Sequence, residues 1–153
     1  HDLHNYWFSV NPVQQLVVEL TERDVLQDGD QHMAEHLHLK GVQLAIDDFG
    51  TGNSSLSWLE KLRPDVLKID RSFTSSVGID SVNATVTDII IALADRLNIV
   101  TVAEGVETLE QESYLRGHGV DVLQGFYYAR PMPIEAFPAW LADREGQKSE
   151  GGE

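Results

Sequence analysis

Cysteine is absent from the 153 residues, which excludes disulfides and thiolate metal sites and suits a reducing compartment. Basic residues are scarce: 11 Lys and Arg stand against 25 Asp and Glu, for a net charge of −14. A surface this acidic repels DNA, RNA and anionic lipid, and it attracts cations. No apolar run reaches the roughly 18 residues that a membrane helix needs, and no signal peptide is visible. No Gly-x-Gly-x-x-Gly follows the first strand-like segment, so a dinucleotide fold has no support. What is present is a chain 42% hydrophobic, able to bury a core and sized for one domain. It opens on His1 rather than methionine, which predicts a processed product or a fragment of a longer protein.

Five short, β-branched apolar runs each end in a polar or acidic residue: Leu16–Glu19, Val42–Asp48, Val66–Asp70, Ile99–Glu104 and Val120–Gln124. Near-continuous apolar runs of this kind predict parallel strands buried on both faces. Helix-like stretches lie between and after them, over 30–39, Ser54–Leu62, Asn83–Leu97, 108–116 and Ile134–Ala142. In the third, Val86, Ile89, Ile90, Leu93, Ala94 and Leu97 fall on one stripe at the 3.6-residue period. The alternation predicts an α/β domain with a parallel sheet. A complete (β/α)₈ barrel takes about 250 residues. The chain is therefore read as a partial TIM-type barrel of about five βα units, residues 1–142, lacking its beginning. The polar stretch 143–153 is read as a disordered tail.

In a barrel the C-terminal ends of the strands share one rim. Glu19, Asp47, Asp48 and Glu104 would converge there. Unpaired, they would repel one another and take up protons. Hard divalent cations, Mg²⁺ or Mn²⁺, would relieve the repulsion. Adjacent Asp47 and Asp48 could serve two neighbouring metals, and paired metals suit in-line attack on a phosphodiester. Lys68, inside an otherwise apolar strand, needs a partner there. It could orient an attacking water, or form a structural ion pair with Asp70 or Glu104.

Two patterns invite other readings. His32-Met33-Ala34-Glu35-His36 fits an inverted zinc-protease motif, with His38 close by. It lacks a third ligand, so it is read as an amphipathic helix with Met33 and Leu37 inward and histidines outward. Trp58, Trp140, Tyr127 and Tyr128 could stack on a base but are read as packing groups.

Read in order, five motifs resemble the EAL family of bacterial cyclic di-GMP phosphodiesterases. They are Glu19-Leu20-Thr21-Glu22, Asp47–Gly52, Lys68-Ile69-Asp70, Glu104–Glu107 and Gln124-Gly125-Phe126. Arg130-Pro131-Met132-Pro133 resembles the family's basic-Pro-x-Pro ending. The resemblance implies metal-dependent hydrolysis of cyclic di-GMP to linear pGpG, using Mg²⁺ or Mn²⁺. It implies Glu19 and Asp47 at the first metal, Asp47 bridging, and Asp48 and Glu104 at the second. Glu104 is also the candidate base, and Lys68 the residue that holds the nucleophilic water. Glu22 would steady the loop Phe49–Ser55, and Glu107 and Gln124 would be further active-site polar groups. A homodimer in the full-length parent and a cytoplasmic site, with the parent open to anchoring in the inner membrane, complete the implication. The Glu-Ala-Leu stretch that names the family is missing, as are its metal-ligating Glu and phosphate-binding Arg. Ser9-Val10-Asn11 imitates an earlier ligand strand, but it lies too close to Glu19 for a crossover helix. The alternative is a catalytically silent module that binds cyclic di-GMP or a partner protein.

Overall fold

The computed structural model describes residues 16–21, 30–51, 56–77 and 82–150. Five strands form a single parallel sheet: β1 (Val17–Thr21), β2 (Gln43–Phe49), β3 (Val66–Ile69), β4 (Val100–Ala103) and β5 (Val122–Leu123). They lie in chain order, each hydrogen-bonded to the next. A doubly wound sheet reverses its winding and so breaks that order. Parallel strands in unbroken order, joined by right-handed crossovers, put all their helices on one face. That is the winding of a (β/α) barrel, as the alternation of runs predicts.

The helices are α1 (Asp30–Leu39), α2 (Leu56–Leu62), α3 (Arg71–Thr74), α4 (Val82–Leu97), α5 (Leu109–Gly117) and α6 (Phe137–Glu150). The core lies between them and the sheet. Leu44, Ile46, Leu67, Ile69 and Ala103 supply its strand side, and Leu59, Ile90, Ile91, Ala94 and Leu115 its helix side. The buried stripe of α4 is Thr87, Ile90, Ile91 and Ala94, rotated from the one that periodicity predicts. Ile89 points outward instead, 61% exposed. With Ile89, Ile90 and Ile91 in a row, two overlapping faces are almost equally apolar, and the sheet selects one.

Two other expectations change. On α1, Met33, expected inward, is 39% exposed, and His38, expected outward, turns inward to place Nε2 3.4 Å from Asp65 Oδ2. The last helix continues past Ala142 to Glu150, where a disordered tail was expected. Within it, Arg144 Nη2 donates to Tyr128 O at 2.7 Å, and the guanidinium lies over the Trp140 ring at 5.0 Å. Residues 151–153 lie outside the described residues.

The entries to β3 and β5 use one device. Asp65 Oδ2 accepts from Leu44 N at 2.8 Å, and Asp121 Oδ2 accepts from Thr101 N at 2.8 Å. Each aspartate thereby anchors its strand to the one before. Pro64-Asp65-Val66-Leu67-Lys68 and Val120-Asp121-Val122-Leu123-Gln124 are thus equivalent stretches of two βα units.

Candidate active site

Side chains alternate across a strand. In β3, Leu67 and Ile69 enter the core, so Lys68 between them projects from the opposite face. There its ammonium meets three carboxylates from three other strands or their ends. Nζ lies 2.7 Å from Glu104 Oε1, 3.0 Å from Glu19 Oε2 and 3.2 Å from Asp47 Oδ1. The Lys68 side chain is 11% exposed and that of Glu19 51%, so the cluster is closed beneath and open above. Burial by itself depresses the ammonium's pKa. The hydrogen bonds to Glu104, Glu19 and Asp47 outweigh that effect and hold it above the usual lysine range. The three carboxylates thus favour the protonated form of Lys68.

The paired aspartates owe their placement to a break in the ladder. Ile46 pairs with Leu67 and Phe49 with Ile69, so Asp47 and Asp48 together oppose the single residue Lys68. This is a β-bulge, a feature concentrated at barrel rims and beside active sites. Asp48 takes the left-handed conformation, φ 56°, which Asp tolerates better than most residues. Asp47 Oδ1 accepts from Asp48 N at 3.0 Å, and Asp48 O accepts from Thr51 N at 3.2 Å and Thr51 Oγ1 at 2.8 Å. The bulge sets two adjacent residues, Asp47 and Asp48, opposite Lys68, where a regular strand would set one.

The structure thus gathers Glu19, Asp47, Lys68 and Glu104, and Asp48 follows Asp47 within the bulge. Asp70, the other partner considered for Lys68, instead accepts from Ser72 N at 2.9 Å and caps α3. Glu107 pairs with Arg71, Nη2 to Oε1 at 2.8 Å. Gln124 is exposed at the end of β5, where its carbonyl accepts from Val106 N at 3.0 Å. A Cβ on Gly125 would collide with Val106 N and O, so only glycine permits this close approach of the two loops. Glu22, residues 52–55, Ser9–Asn11 and the Trp58 side chain lie outside the described residues. Sequence reasoning missed Arg71. Its position directly after Lys68-Ile69-Asp70, at a strand end, was the available signal.

The donor chemistry fits a hard divalent cation: carboxylate oxygens alone, around one positive charge. Among the described residues no three His, Asp or Glu side chains are arranged as a metal cage.

The EAL domain family profile matches residues 4–131. The chain belongs to the EAL domain family. The probable cyclic di-GMP phosphodiesterase PdeD of Escherichia coli strain K12 is 68% identical over 141 residues, 92% of this chain and 26% of that protein. This EAL chain therefore spans about a quarter of that curated relative's length. Among solved structures, the PaMucR phosphodiesterase in complex with c-di-GMP is 42% identical with a TM-score of 0.80, over 88% of this chain and 56% of that one. The manganese/cy-diGMP complex of Klebsiella pneumoniae BlrP1 is 32% identical with a TM-score of 0.76, over 85% of this chain and 35% of that one. The five-stranded sheet is accordingly an arc of the EAL family's TIM-like barrel. Among the described residues no helix is long and apolar enough to cross a membrane.

Proposed function

We propose that this chain contributes the Lys68-centred rim of a metal-dependent phosphodiesterase that opens cyclic di-GMP to linear pGpG. The observation that carries the reading is the convergence of Glu19, Asp47 and Glu104, from three strand ends, on one buried ammonium. The names of its relatives supply the substrate: PdeD is called a probable cyclic di-GMP phosphodiesterase, and PaMucR was solved with c-di-GMP.

In this reading Glu19, Asp47, Asp48 and Glu104 would hold two divalent ions, Mg²⁺ or Mn²⁺, which would supply positive charge at the attacked phosphate. The chain's own residues supply the rest. Lys68 Nζ keeps its proton at neutral pH and so donates to the attacking water or to the developing phosphorane oxygen. Glu104, whose Oε1 lies 2.7 Å from Nζ, is the candidate to accept the water's proton. Water's oxygen bonds to phosphorus and gives up one proton, one ribose–phosphate ester bond breaks, and the leaving ribose oxygen takes up one proton to become the hydroxyl. Every one of these acids and Lys68 is retained, which favours an enzyme over a silent binding module.

The test is turnover. The protein that carries this chain, supplied with Mn²⁺ or Mg²⁺, should convert cyclic di-GMP to pGpG and stop when EDTA is added. Binding of cyclic di-GMP without turnover under both metals would favour the receptor.

A further inference from the structure

Arg71 has no role in the chemistry above, yet it stands at the same rim. It opens α3, and the Asp70 cap fixes where that helix begins. From there the arginine stem lies across Gly105. A Cβ on Gly105 would collide with Arg71 Cγ and Cβ, and at φ 69° that residue already disfavours a side chain. Beyond Gly105 the guanidinium Nη2 reaches Glu107 Oε1 at 2.8 Å. Glu107 is fixed from its far side, since its N–H donates to Gln111 Oε1 at 2.8 Å within the α5 capping box. Glu104, which begins this loop, donates its own N–H to Ile69 O at 3.1 Å. The segment 104–107 is thus held by the β3–α3 connection at Glu104, Gly105 and Glu107.

We infer that Arg71 is a positioning residue, clasping the loop 104–107 through Glu107 so that Glu104 stays against Lys68. The inference rests on the phosphodiesterase reading for its catalytic consequence, though not for the clasp itself. Arg71 is 65% exposed in its side chain, and an exposed ion pair by itself contributes little. The packed stem changes that balance, because it restricts the rotamers whose entropy usually cancels such a pair. Glu107 then acts by holding Arg71, not by touching substrate.

Arg71→Met keeps the stem over Gly105 and removes the charge; Glu107→Gln removes the partner. Both variants, and the double, are made in the protein that carries this chain. Amide hydrogen exchange over residues 104–108 should quicken about tenfold in each single variant, with no further increase in the double. Unchanged exchange, or effects that multiply in the double, overturns the clasp. With cyclic di-GMP, kcat of Arg71→Met should fall about tenfold while KM stays within about twofold. A raised KM at unchanged kcat would make Arg71 a substrate contact and overturn the inference. Arg71→Lys keeps both stem and charge and should recover most of each loss; no recovery counts against the clasp. If the parent hydrolyses no cyclic di-GMP, the phosphodiesterase reading fails, and the exchange comparison still decides the clasp.

Discussion

Lys68 is the residue on which the rim turns. It neutralises one of three acids that approach it within 3.2 Å. Replaced by methionine, its length and apolar stem survive and its charge does not. Lys68→Met should leave a folded protein with strongly reduced turnover and little change in substrate affinity, read from steady-state kinetics and a melting curve. Outright unfolding would instead mark a purely structural ion cluster. Asp47 and Asp48 are reached through the bulge opposite Lys68, and each supplies a charge that the proposed ions require. Asp47→Asn and Asp48→Asn keep size and hydrogen bonding while removing that charge. Each should abolish pGpG formation in saturating Mn²⁺. More than about a tenth of wild-type activity, a loss under about 1.4 kcal/mol, would contradict the ligand assignment.

At the scale of elements, α5 fixes the loop that carries Glu104. Its first turn is closed by a capping box, in which Thr108 accepts from Gln111 N at 3.2 Å and Gln111 Oε1 accepts from Thr108 N at 3.1 Å. Thr108→Ala should cost about 1 kcal/mol in chemical denaturation. A second tie crosses between helices: Tyr114 OH on α5 donates to Asp88 Oδ1 on α4 at 2.7 Å. That bond, with lesser contributions from burial and the aspartate's charge, raises the Tyr114 pKa above its ordinary 10.0. A raised folded-state pKa stabilises the protonated form. The bond's contribution is therefore fully present below pH 10.0 and is lost as pH climbs through the folded value. Tyr114→Phe should cost about 1 kcal/mol at pH 7, and the gap from wild type should close above pH 10. A gap that stays constant across that range would show that the phenol contributes by packing alone.

For the molecule as a whole, the sheet is an arc. Among the described residues β1 pairs only with β2 and β5 only with β4. Val17, Val100 and Val122 are each more than two-fifths exposed, although valine in a barrel strand is ordinarily covered. Unpaired edges and uncovered strand residues invite association with other chains. Residues 1–153 prepared alone should elute above monomer size in gel filtration and form no pGpG with Mg²⁺ or Mn²⁺. A stable monomer with turnover would mean that the residues of this arc suffice for the chemistry.

Local pattern determined much of this protein. Five apolar runs ending in polar residues were enough for parallel strands in sequence, and their acidic ends were enough to bring Glu19, Asp47 and Glu104 to one rim, though not to show that Glu19 and Asp47 close on Lys68 Nζ. Those are properties of single segments and of a shared strand direction, so they are legible without coordinates. Pairing and packing decided the rest. The buried face of α4 depended on which of three consecutive isoleucines met the sheet. Arg144 on α6 reached Tyr128 O, a contact sixteen residues apart in sequence. Asp47 and Asp48 both lie opposite Lys68 because β2 carries one residue more than β3 between two paired positions, a difference that exists only once the strands are aligned. Arg71 met Gly105 and Glu107 because two loops cross at a point where one of them has no side chain. Contacts of this kind join residues far apart in sequence, and no local pattern encodes them.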